Sequence, residues 1–182
     1  MGKYNKLIIE SLSRINEVIV WHGSTESFDN FDLDKVGSGD GKSLGGWGIY
    51  FSDSEEVSKR YYLGGGMLSR FRIPDGKYFD LDEMLDYGFA EDLVNRLIRV
   101  GVDEEAIEQF RDDYIGYIEY GDINNGGVYE WLSFVLGGDK EASLFLFKMG
   151  YIGNKFRDKW EREATNYVLF RDDIIDKIDY DE

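Results

Sequence analysis

Apolar residues recur along this chain with two periods, and the switches between them mark out its elements. Leu7, Ile8, Leu12 and Ile15 fall at near-helical spacing, which predicts an amphipathic helix over residues 1–16. Val18-Ile19-Val20-Trp21-His22 is β-branched and aromatic and is bounded by Gly23-Ser24, so it reads as a buried strand with His22 at its C-terminal end. Residues 49–51 predict a short strand. A helix over residues 55–62 should follow, capped by Asp53 or Ser54, with Ser58 and Tyr61 three apart on one face.

Two further strands, over 68–73 and 78–81, flank a turn at Pro74-Asp75-Gly76. Between residues 83 and 149 the period changes to three and four, and glycine or Asn-Gly punctuation divides the stretch into helices over 83–100, 103–120, 128–136 and 140–149. Tyr151-Ile152 opens a strand, NKFRDKWERE reads as a charged loop, and Thr165 to Phe170 form a clear strand before Ile174, Ile175 and Ile178 complete the core. Strands at both ends with helices inserted between them predict an α+β domain. Its terminal strands must pair across the chain, which would bring Asn166 near His22.

Composition narrows the function. A chain of 182 residues is expected to form one domain, residues 1–182, burying about 70% of its unfolded surface. The formal net charge of −16 disfavours nucleic acid, because phosphate backbones are bound by Lys and Arg that displace counterions. The acidity serves either solubility or attraction of a basic partner. With no cysteine and one histidine, a disulfide framework, a thiolate nucleophile and a His-rich metal site are excluded. The N-terminus is too polar for a signal peptide and no apolar run approaches the ~20 residues of a membrane span, so a cytoplasmic protein without membrane contact is expected.

Candidate chemistry gathers at a few places. The glycine-rich stretch 37–48 suits a loop over a ligand, but its GSGDGKS is not a phosphate-binding P-loop, because Val36 stands where the first glycine is required. In His22-Gly23-Ser24, an imidazole can bond a sugar hydroxyl while the missing Cβ of Gly23 admits an amide ligand to the backbone. Tyr50, Ser58 and Tyr61 can add two aromatic faces and a hydroxyl to the same pocket, a setting for a flat cationic ring. The alternative is that His22 is a hydrogen-bonded structural residue and the tyrosines are core aromatics. Glu161 and Glu163 are spare acids, more simply a solvated face, and Lys42, Lys59 and Arg60 are cations that could offset the acidity near a pyrophosphate.

These motifs, in this order, resemble the ADP-ribosyltransferase superfamily, in its His-Tyr-Glu branch that includes the poly(ADP-ribose) polymerases and diphtheria-type toxins. His22-Gly23-Ser24 is similar to the branch's His-Gly-Ser, Gly46-Trp47-Gly48-Ile49-Tyr50-Phe51 to its Gly-x-Gly-Ile-Tyr-Phe, and Ser58 and Tyr61 to its later serine and stacking tyrosine. VWHGSTESFDNFDLDKVGSGDG, GWGIYFSDSEEVSKRYY, KEASLFLFKMGYIG and TNYVLF further resemble transferase-like domains of polyvalent proteins from bacteriophages and other mobile elements. The resemblance implies two small, roughly perpendicular sheets split around an NAD cleft. It implies NAD-dependent mono-ADP-ribosylation of a protein target, a host factor if the chain is phage encoded. His22, Gly23, Ser24, Tyr50, Ser58 and Tyr61 would bind NAD, with His22, Tyr50 and Asn166 as the catalytic set and no metal. Asn166 occupies the position of the branch's glutamate and is assigned to positioning the ribose, which leaves single transfer rather than polymer growth. The competing expectation is an inert protein of the same fold whose acidic surface blocks a basic partner, as an anti-defence factor would.

Overall fold

The computed structural model describes residues 17–25, 31–36, 45–61, 66–121 and 123–178. The helix expected over 1–16, Lys42 and most of the glycine-rich stretch lie outside the described residues. The strands are β1 (Glu17–Ser24), β2 (Ile49–Ser52), β3 (Met67–Pro74), β4 (Tyr78–Asp80), β5 (Gly153–Arg157), β6 (Thr165–Leu169) and β7 (Asp176–Ile178). The α-helices are α1 (Glu55–Lys59), α2 (Tyr87–Val100), α3 (Glu104–Asp113), α4 (Asn125–Leu136) and α5 (Asp139–Lys148).

The architecture is α+β. One mixed sheet runs in the order β4-β5-β6-β2-β1-β3-β7, with only β4 and β5 parallel. The chain's ends meet in it: β6, from the C-terminal part, pairs with β2, and β2 pairs with β1. β1 and β3 pair along eight consecutive positions, from Glu17 opposite Pro74 to Ser24 opposite Met67. Among the described residues, by contrast, β1 and β2 pair at a single position, Trp21 opposite Ser52.

Side chains on a strand alternate between faces, and directly opposed residues share one. Phe79 and Phe156 therefore face the helices, in a core with Leu93, Leu97, Phe110, Leu132 and Leu146. Val20, Phe51, Phe71, Ile73 and Leu169 face the other way, where Phe31, Leu33, Ile174 and Ile175 cover them. Helix ends follow local chemistry. Ser54, Asp86, Asp103 and Asn124 each accept a backbone N–H at an N-terminus, and Gly101 and Gly137 close α2 and α4 in the left-handed conformation.

Two expectations need correction. NKFRDKWERE is not a loop throughout: Gly153–Arg157 is β5, inserted between β4 and β6. Gly153 permits this, since a Cβ there would collide with the Val168 carbonyl, and Asn154 and Phe156 alternate inward among the charges. The helix expected over 103–120 ends at Asp113 and tightens to a 3₁₀ helix over Ile115–Tyr120, a stretch whose Gly116 and β-branched Ile115 and Ile118 are poor helix formers. No helix among the described residues is long and apolar enough to cross a membrane.

Candidate functional site

The adjacency of β1, β2 and β6 gathers the residues singled out in the sequence. Asn166 lies opposite Ser52, and Ser52 opposite Trp21, so these three share one face of the sheet. Tyr50, two residues before Ser52, is on that face as well. His22, adjacent to Trp21, turns to the other side, where its ring meets Phe31 edge-on at 5.0 Å and Phe51 at 5.7 Å.

His22 nevertheless reaches across to the neighbouring strand β2. Its Nδ1 is 2.7 Å from the Tyr50 carbonyl oxygen, and a carbonyl only accepts, so Nδ1 carries the proton and donates. Burial lowers the His22 pKa, and the hydrogen bond to Tyr50 offsets only part of that. The imidazole is therefore neutral at neutral pH, with Nε2 an acceptor for a hydroxyl.

Gly23 has a structural reason to be glycine. A Cβ there would sit well inside contact with the Ser58 carbonyl oxygen, 3.2 Å from its carbon and 3.5 Å from Tyr61 Cβ, so α1 packs directly on the bare backbone of β1. Ser58 is buried on α1, and its Oγ donates to the Trp21 carbonyl at 3.0 Å. Tyr61 follows the helix and is 55% exposed, which removes it from the core-aromatic alternative. Ser24, at the end of β1, lies opposite Met67 and is half-buried.

Tyr50 is committed at its hydroxyl, which donates to the Gly46 carbonyl at 2.6 Å and accepts the Gly45 N–H at 3.0 Å. It thereby fixes the turn before β2, where Gly46 adopts a φ of 93° that favours glycine. The helical layer grips the same turn. Trp47 N–H donates to Tyr129 Oη at 3.2 Å, and Ser143 Oγ on α5 donates to the Trp47 carbonyl at 2.9 Å.

A polar network flanks Asn166 that the linear pattern did not reveal. Asp158, buried just beyond β5, accepts at Oδ1 from Arg60 Nη1 (3.0 Å), Trp160 N–H (3.0 Å) and Glu161 N–H (2.9 Å). Its Oδ2 lies 3.5 Å from Asn166 Nδ2. Burial pushes the Asp158 pKa up, but the Glu161 and Trp160 amides, Arg60 and Asn166 outweigh it, and the carboxyl stays below the usual range. Glu161, considered as a spare acid, accepts from Ser54 Oγ at 2.9 Å and lies 3.6 Å from Arg60 Nη2. Arg60 is thus engaged with two carboxylates, and Lys59 pairs with Glu55 and Glu56 on its own helix.

Among the described residues no cluster of three or more His, Cys, Asp or Glu is arranged to hold a metal ion. No family model matches the chain, and neither a curated protein nor a solved structure matches it.

Proposed function

We propose that this protein is an NAD-dependent mono-ADP-ribosyltransferase that modifies a protein target, a host factor if the chain is phage encoded. The observation that carries the proposal is the strand order. With β1, β2 and β6 side by side, His22-Gly23-Ser24, Tyr50 and Asn166 are brought from distant parts of the chain onto adjacent strands, Tyr50 and Asn166 on one face and the His22 ring turned to the other, and α1 holds Ser58 against Gly23. The single paired position between β1 and β2 favours a sheet that parts into two halves at the seam, with the ligand between them.

The residues fit a polar, sugar-bearing ligand with a flat ring. Neutral His22 offers Nε2 to a ribose hydroxyl, the exposed face of Tyr61 suits a planar cation, and Asn166 offers an uncharged amide to the ribose. NAD supplies an activated bond from ribose to nicotinamide, and the nitrogen leaves with the bonding electrons as the acceptor attacks the sugar carbon. In this scheme the chain's residues bind and orient, the acceptor's proton passes to solvent, and with Asn166 in place of an acid the chemistry proposed is a single transfer rather than chain growth. Incubation with labelled NAD in host lysate, followed by intact mass spectrometry of the labelled product, should give one ADP-ribose increment that His22→Ala abolishes. Absence of label from every protein would refute the proposal.

One observation favours the competing reading of an inert acidic binding protein. The Ser58 and Tyr50 hydroxyls both donate within the fold, to Trp21 and Gly46, and a ligand would have to compete for them. In that case the protein would capture a basic partner without consuming NAD.

A further inference from the structure

Asn166 has a fixed backbone and a side chain whose two ends differ in chemistry. Its main chain is held in the ladder between Ser52 and Phe156, and its side chain is buried. Of the two amide ends, Nδ2 only donates and Oδ1 only accepts, although the two are nearly the same in shape. The neighbouring charge does distinguish them. Asp158 is held ionised by three donors on Oδ1, so its Oδ2 carries no proton and cannot face the Asn166 oxygen without repulsion.

We infer that Asp158, clamped by Arg60, is a positioning residue that locks the Asn166 carboxamide with Nδ2 toward the β5–β6 connection and Oδ1 turned away from it, toward the ligand. This rests on the functional reading above, in which Oδ1 accepts a ribose hydroxyl. It also gives the position a defined role without a negative charge at the ligand: the carboxylate lies one residue layer back, its charge matched by Arg60 at 3.0 Å. Asp158 does not touch the ligand in this arrangement. Its effect passes through the orientation of one amide.

Asp158→Asn keeps the size of the side chain but presents both a donor and an acceptor, so it releases the lock. Two measurements on the full chain test this. In ligand-free protein, the Asn166 side-chain NH₂ resonances, identified by their loss in Asn166→Ala, should be protected from solvent exchange and should shift and lose protection in Asp158→Asn. In calorimetry, Asp158→Asn should weaken NAD about tenfold, the effect of one lost hydrogen bond, while leaving free nicotinamide, which has no ribose, unchanged. In the Asn166→Ala background the same change should have no further effect on NAD. Resonances indifferent to Asp158→Asn would overturn the inference, as would equal losses for NAD and nicotinamide, or an undiminished loss in the Asn166→Ala background. If the wild type binds neither ligand while the resonances still respond, the functional reading fails and the orientation of Asn166 stands.

Discussion

Replacing Gly23 by alanine separates the packing described here from any other reason for a glycine after His22. Gly23 does not have a positive φ, so its backbone conformation is open to any residue. In open space Gly→Ala would stabilise the protein by about 0.4–1 kcal/mol, through a less flexible unfolded chain. The structure predicts the opposite sign. The new methyl would press on the Ser58 carbonyl, a backbone atom that moves only with α1, and relief requires a shift of about 1 Å. Overpacking of this kind costs about 1–3 kcal/mol. The shift would also weaken the 3.0 Å bond from Ser58 Oγ to the Trp21 carbonyl, for about 1 kcal/mol more. At about 2–4 °C per kcal/mol for a chain of this size, Gly23→Ala should lower Tm by about 4–16 °C in thermal denaturation followed by circular dichroism. An unchanged or raised Tm would refute the close packing of α1 on β1.

Two further outcomes are expected. Because burial lowers the His22 pKa below its ordinary 6.5, the unfolded chain binds a proton between the folded value and 6.5 that the folded chain does not. His22 therefore costs stability as pH falls below about 6.5, and its contribution is fully present above it. The difference in Tm between the wild type and His22→Gln should shrink as pH is lowered from 7.5 to 5, and a pH-independent difference would contradict a buried neutral imidazole. Tyr129→Phe removes the hydroxyl that receives the Trp47 N–H and contacts Ser143 and the Asp139 carbonyl. It should cost about 1–3 kcal/mol in chemical denaturation and weaken NAD binding by loosening the turn before β2, whereas an unchanged denaturation midpoint would remove that turn's anchor from the account.

The parts of the fold legible in the sequence were those where one local signal dominates. Val18 to Trp21 and Tyr167 to Phe170 are dense in β-branched and aromatic residues, which declare strands regardless of context. Ser54 marks a helix start with its own side chain, whereas the helices expected from 83 and 128 begin at Tyr87 and Asn125, behind the caps Asp86 and Asn124. β5 was hidden because it is charged: Lys155 is paid for by Asp80 on the neighbouring strand, a tertiary contact that a charge pattern cannot disclose. The same limit hid Asp158. It looks like one more acid in a polar run, and its significance comes from Arg60, far away in sequence, and from Asn166 on the next strand. Pattern alone did place His22 and Tyr50 each on a strand. It could not indicate that their side chains leave the sheet on opposite faces, because that depends on register, which is fixed by pairing with β3 and β6.

The most direct test of the central claim is titration of the purified protein with NAD in a calorimeter, with the same titration of His22→Ala alongside. Saturable binding at one site per chain is expected, lost or strongly weakened in the variant while its Tm shows that it remains folded. No measurable binding to the folded wild type, or equal binding by both proteins, would contradict an NAD site at the seam between β1 and β2.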